Sequence, residues 1–225
     1  MQRRQFTSTL WAAAALGISP EVWAQLSQDD AAAGIRLALE KGAVAAVALL
    51  GKTDGFLGNP KVRIPLPKTL EQAASVLKMT GQSKKVDDLV TSMNRAAEMA
   101  VPEAQVLLVD AAKAISVDDA LKIVRGGNTS VTDYFAGKTR QPLGVKFLPI
   151  VTQATEKVSL AEQYNALAGK AAGFGLVKKE DANIQQYVTG KALDGLYLMI
   201  GEEEKKLRAN PMQAGSDLLR KVFGR

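Results

Sequence analysis

Residues 191–208, KALDGLYLMIGEEEKKLR, decide the fold class. At about 100° per residue, Leu193, Leu196, Tyr197, Ile200 and Leu207 fall within about 60° of one direction, which is the core stripe of an amphipathic helix. The acidic run does not lie wholly opposite it. Measured from Ile200, Glu204 stands at about +40°, Glu203 at about −60°, and Glu202 on the far side. Glu204 is therefore on or beside the stripe with Glu203 flanking it. A carboxylate held there needs a cation from elsewhere in the fold or several donors. The competing reading is a surface ladder, Glu202 to Lys206 and Glu204 to Arg208 at i,i+4, worth a few tenths of a kcal/mol per pair.

Outward from this helix the same period recurs. Ser27-Gln28-Asp29-Asp30 forms a capping box ahead of an Ala-rich helix to about Leu50, apolar around much of its circumference and hence central. Helical spacing follows over 69–79, 83–100 and 104–115, with Pro102 forcing a kink or a new start. Ser116-Val117-Asp118-Asp119 reads as a second capping box opening a short helix that ends at Gly126-Gly127. Short helices are expected over 131–136 and 143–158, the latter with Pro149 inside it. Another is capped at Ser159 and dissolves at AAGFG, and further ones cover 181–188, 191–208 and 217–223. No window alternates as a strand would, so the chain is all-α, with roughly eight to ten helices. No Ser/Gly/Pro-rich linker interrupts residues 25–225, which are expected to form a single helical domain.

One stretch departs from this pattern. FLGNPKVRIPLPKTL, residues 56–70, carries Pro60, Pro65 and Pro67, each of which biases its predecessor away from helix. Residues 59–67 are read as an extended strap. Val62, Ile64 and Leu66 share one side of it and Lys61 and Arg63 the other, so an apolar edge can lie on the bundle while Arg63 meets a carboxylate or an anion.

Composition closes off much chemistry. The 225 residues include no cysteine and no histidine, so thiol nucleophiles, Cys/His metal sites and His-dependent triads are unavailable, and no other catalytic spacing stands in for them. No catalytic residue, metal ligand or cofactor site is assigned, and the chain leans away from being an enzyme. Gly169, Gly173 and Gly175 follow a helix and lack a GK[ST] sequence, so they read as helix termination rather than a phosphate loop.

The N-terminus reads as a targeting segment. Arg3-Arg4, the apolar run from Leu10 to Ile18, Pro20 and Val22-Trp23-Ala24 resemble a twin-arginine export signal, residues 1–24, cleaved after Ala24. The alternative is an amphipathic first helix. The apolar run is too short to span a bilayer, so no transmembrane segment is expected after cleavage. Cleavage removes two of 29 cations and one of 23 anions, leaving a mature charge of +5. In a periplasmic protein the anions at hand are lipid headgroups and acidic envelope polymers rather than nucleic acid. Scattered basic residues with no run of five are equally the mark of an ordinary solvated surface.

The candidate binding or ion-pairing residues are Asn59, Arg63, Tyr134, Arg140, Glu203 and Glu204. In TDYFAGKTR, Tyr134, Phe135, Lys138 and Arg140 could hold an anionic headgroup, or be a core aromatic pair beside a basic turn. Arg63 or Arg140 is expected to pair with Glu203 or Glu204.

Four ordered motifs, GFLGNPKVRIPLP, NTSVTDYFAGKTR, ALDGLYLMIGEEEKKLR and DLLRKVFG, resemble an uncharacterised domain-of-unknown-function family of exported bacterial proteins, found mainly in proteobacteria. The resemblance spans the mature chain. It implies a periplasmic, helix-rich domain and brings no functional residue with it. The reading is a non-enzymatic binding module for an anionic or amphipathic envelope ligand or a periplasmic partner. A protein-interaction domain without a small ligand, and a hydrolase or lyase using Glu203 or Glu204 as base, are the alternatives.

Overall fold

The computed structural model describes residues 26–173 and 183–224; the expected export signal, residues 1–24, lies outside them. Among the described residues the chain is all-α, with no strand. The helices are α1 (Gln28–Leu50), α2 (Lys68–Met79), α3 (Ser83–Ala100), α4 (Gln105–Ala114), α5 (Ala120–Val124), α6 (Ser130–Lys157), α7 (Leu160–Gly173), α8 (Ile184–Ala209) and α9 (Asp217–Phe223). Short 3-10 turns, Val101–Ala104 and Pro211–Gln213, precede α4 and α9, so Pro102 makes the expected break after α3. No helix among the described residues is long and apolar enough to cross a membrane.

The Ala-rich α1 is the axis of the bundle, packed against α8, α4, α5 and α9. Its small residues let neighbours come close: a Cβ on Gly34 would stand 2.6 Å from Val222 Cγ2 of α9. α6 and α8 form the most extensive helix pair, and one continuous apolar core runs beneath the described helices. In α8 the stripe is as expected, with Leu193, Leu196, Tyr197 and Ile200 buried and Leu207 packed at its edge.

Two boundaries differ from the sequence reading. The helices expected over 131–136 and 143–158 are one helix, α6, which runs through both Pro142 and Pro149. Each proline removes a backbone donor and costs about 3 kcal/mol in an isolated helix. Here that cost is offset by burial of Phe135, Leu143, Phe147 and Val151 against α3 and α8. Likewise α8 is continuous from Ile184, and the expected start at Asp181 lies outside the described residues.

Capping is a second difference. Ser27 accepts from the Asp30 N–H at 3.0 Å, as its capping box requires. Ser116 instead donates to the Asp118 carboxylate, and α5 begins after Asp119 without a side-chain cap of its own. The amide side chain of Gln28 on α1 takes over that duty. It accepts from the Leu121 N–H at 3.2 Å and donates to the Asp118 carbonyl at 2.8 Å.

The strap is shorter than expected: residues 60–62 form a turn, and the run outside helix and turn is 63–67. Asn59 accepts from the Lys61 N–H through its side chain and from the Val62 and Arg63 N–H groups through its carbonyl, which closes a turn over 59–62. Residues 63–67 then run without helix, Val62 and Ile64 buried, Leu66 half-buried, and Arg63 and Pro65 exposed. Upstream, Asp54 has φ 63°, and Gly55 passes so near Leu50 that a Cβ would lie 2.4 Å from its carbonyl oxygen. Only glycine fits that approach.

Candidate functional site

Two buried glutamates build the scaffold, and they do it the same way. Glu204, on α8, is 5% exposed. Its carboxylate accepts from the Val131 N–H (3.1 Å), the Thr132 N–H (2.8 Å) and the Thr132 hydroxyl (2.7 Å) at the start of α6. It also takes Arg208 Nε and Nη2 at 2.9 and 2.8 Å. The first turn of α6 has orphan N–H groups and a positive dipole end, and no side-chain cap from Thr129, whose hydroxyl is donated to Asp133. Glu204 supplies that cap from another helix. Arg208 extends the cluster to the Val124 carbonyl at 2.7 Å and the Ser130 hydroxyl at 2.9 Å, with its guanidinium 5.1 Å from the Phe223 ring centre.

Glu98 on α3 repeats the device for the strap loop. It accepts from the Phe56 and Leu57 N–H groups at 3.0 Å each, and from Arg95 Nη1 at 2.6 Å. Arg95 also reaches Asp54 at 2.8 Å, and the two carboxylates push its pKa up. One turn earlier, Asn94 brackets Ile64. Neither Asn94 nor Glu98 was expected as a key residue. Asn94 sits about 90° and Glu98 about 130° from the centre of the apolar stripe of α3, where a polar residue reads as surface; the strap covers that side.

The expected pairing of Arg63 or Arg140 with Glu203 or Glu204 is not what forms. Glu204 is buried, and its cation is Arg208, four residues along the same helix, the partner that the surface-ladder reading gave it. Glu203 pairs with Lys206 at 2.6 Å. Arg140 pairs with Asp194, and Arg63 makes no ion pair among the described residues. The strap does reach the acidic run, through Lys61 to Glu202 at 2.6 Å. Hydrogen bonds from Lys205 and then Lys61 hold the Glu202 carboxyl down to about 2.

Tyr134 and Phe135 divide their roles. Phe135 is fully buried edge-on to Tyr197, ring centres 5.9 Å apart. Tyr134 donates to the Ser116 carbonyl at 2.7 Å, with the Lys138 ammonium 5.7 Å from its ring centre. Thr139 donates to the Phe135 carbonyl, so the Tyr197 hydroxyl, 2.9 Å away, donates to Thr139. Burial raises the Tyr197 pKa.

Of the six candidate residues, Arg140 alone opens onto the larger of the two concavities that any of them line. A groove of about 620 Å³ lies between α6 and α8, lined by Ala136, Gly137, Arg140, Gln141, Gly144, Val145 and Leu148 on one wall and Gln186, Thr189, Gly190 and Leu193 on the other. Three of these are helix-interior glycines, each costing about 1 kcal/mol relative to alanine. Internal packing does not require them. A Cβ on Gly137 or Gly190 would meet nothing within 4 Å, and on Gly144 only Leu193 Cδ1 at 3.8 Å. Their effect is to leave the groove open.

A smaller cavity, about 430 Å³, lies between α1 and the end of α8 and includes Lys41, Glu203 and Lys206. Its polar side chains are already engaged: Lys206 pairs with Glu203, and Lys41 donates to the Ala214 carbonyl. Glu204 also borders it, but with five donors on its two oxygens it has no lone pair left for a substrate proton. Among the described residues, no group of three or more acidic side chains is placed to hold a metal ion.

No curated protein and no solved structure shows a match to this chain. A family model does, over residues 25–224. Its span takes in the strap, α6 and α8 together, and the chain belongs to the family described as Protein of unknown function (DUF4197).

Proposed function

We propose that this is an exported, periplasmic, non-enzymatic binding module whose ligand site is the groove between α6 and α8. The observation that carries the reading is a 620 Å³ apolar concavity kept open by Gly137, Gly144 and Gly190, none of which the packing of the chain itself needs. That volume is in the range of small-molecule sites. The twin-arginine pattern of residues 1–24 supports export, and an envelope molecule is then the ligand at hand.

Native mass spectrometry and solvent extraction of protein purified from the periplasm test this. The expected result is a bound species that Gly144→Leu displaces while the thermal melt stays cooperative. Protein that repeatedly carries nothing, and takes up nothing from an envelope extract, would overturn it.

A further inference from the structure

We propose that the α6–α8 groove takes a single-chain amphiphile with one anionic headgroup, and that Arg140 is the headgroup contact. This rests on the groove being the ligand site and names what fills it.

The argument starts from polarity along the groove. Val145, Leu148 and Leu193 give apolar walls, and the glycines bare the helix surface between them. The Thr189 hydroxyl is already donated to the Gln185 carbonyl at 2.7 Å, so it offers no free donor. Arg140 is the cation among the groove-lining residues. From Arg140 to Leu148 the groove follows α6 for about 12 Å, at 1.5 Å per residue. The lining runs one turn past Arg140 to Ala136, so this is a mostly apolar track with its one cation a turn in from one end and the amides of Gln141 and Gln186 beside it. A compact polar metabolite would leave most of it wet, whereas an alkyl chain fills it.

Charge fixes the headgroup. Arg140 and Lys191 share one carboxylate, Asp194, with Lys191 at 3.6 Å, so the rim carries one cation in excess. Arg140 and Asp194 are each 47% exposed, and a pair so solvated exchanges readily with a competing anion. The guanidinium has five donors in a planar fork. Asp194 and the Gly190 carbonyl, at 3.5 Å, engage one nitrogen, leaving the rest for a carboxylate or a phosphate. A cationic headgroup is repelled by this rim, and a zwitterionic one gains less than an anion because its own cation adds to the excess.

The test uses the purified full chain and monomeric probes: laurate, lysophosphatidylglycerol, dodecanol and lysophosphatidylcholine, titrated by calorimetry. Laurate or lysophosphatidylglycerol should bind about tenfold tighter than the two probes without net charge, the gain of one charge-assisted hydrogen bond. Binding of laurate alone identifies a carboxylate ligand, and of lysophosphatidylglycerol alone a phosphodiester. Arg140→Gln should erase the preference, Gly144→Leu should abolish binding, and Arg63→Gln, which removes an equal charge from the strap, should change neither. Equal affinity for dodecanol and laurate, or a preference untouched by Arg140→Gln, overturns the headgroup assignment while the groove still stands. Failure of all four probes, with a Gly144→Leu-sensitive species still seen in the native mass spectrum, overturns the ligand class alone. Binding indifferent to Gly144→Leu in a folded variant overturns both readings.

Discussion

Asn94 reads the backbone of Ile64 on both sides: its side-chain oxygen accepts the Ile64 N–H at 2.8 Å, and its side-chain nitrogen donates to the Ile64 carbonyl at 2.9 Å. A neighbouring β-strand would make the same two bonds. The strap is thus paired to a side chain at Ile64, which is how that residue can be buried inside a helical bundle with both its backbone groups satisfied. Asn94→Ala would leave both groups of Ile64 unpaired at a fully buried position. Urea denaturation should show a loss of about 2–4 kcal/mol. The Ile64 amide should lose hydrogen-exchange protection before the amides of α1.

Glu204 and Arg208 should be strongly coupled. Glu204→Ala strands the Arg208 guanidinium, 15% exposed, and uncaps α6. The expected cost is about 3–5 kcal/mol, with Glu204→Gln in between because it keeps one acceptor oxygen. A double-mutant cycle with Arg208→Met, followed by chemical denaturation, should return a non-additive term above about 1 kcal/mol.

Two glycine-to-alanine changes, both in helix interiors, should act in opposite directions. Gly34→Ala drives a methyl to within 2.6 Å of Val222 and should destabilise by about 1–3 kcal/mol, with Val222→Ala restoring much of the loss. Gly137→Ala meets nothing within 4 Å and should stabilise by about 1 kcal/mol. Thermal melts of the two variants and the double variant check the signs.

Acid should loosen the strap late. The Glu202 carboxyl is lowered from 4.5 to about 2, so its contribution is present above the unfolded value and is lost as pH falls through the folded one. The contact with Lys61 should therefore persist at pH 4 and fade toward pH 2. Carboxyl NMR titration should show the Glu202 midpoint rising in Lys61→Met, but not to the unfolded value, because Lys205 still donates at 2.8 Å.

Helix content and the strap were legible because they are written in local periodicity and in proline's fixed geometry. The stripe of α8, the central α1 and the alternation of Val62, Arg63 and Ile64 all follow from such rules. What escaped was tertiary. The continuity of α6 through Pro142 depends on burial that no local window contains. Caps were sought in the residue just before each helix, yet Glu204, Gln28 and Glu98 hold the amides of segments far away in sequence. The candidate site divides the same way. For Glu204 the sequence offered two readings, a buried carboxylate paired across the fold and a surface ladder to Arg208, and the structure takes the burial from the first and the partner from the second. Arg140 was recognised as a possible anion contact. The groove beside it was invisible, because it consists of the side chains that Gly137, Gly144 and Gly190 do not have.

The carboxylate of Glu204 also sets what the groove walls can do. It clamps the first turn of α6 to α8, and the Thr139–Tyr197 hydrogen bond adds a second fastening two turns on. Both lie to the same side of Gly144. Two rods riveted near one end have their spacing set most firmly there, so the width of the cleft is fixed beside Thr132 by hydrogen bonds and toward Leu148 by side-chain packing.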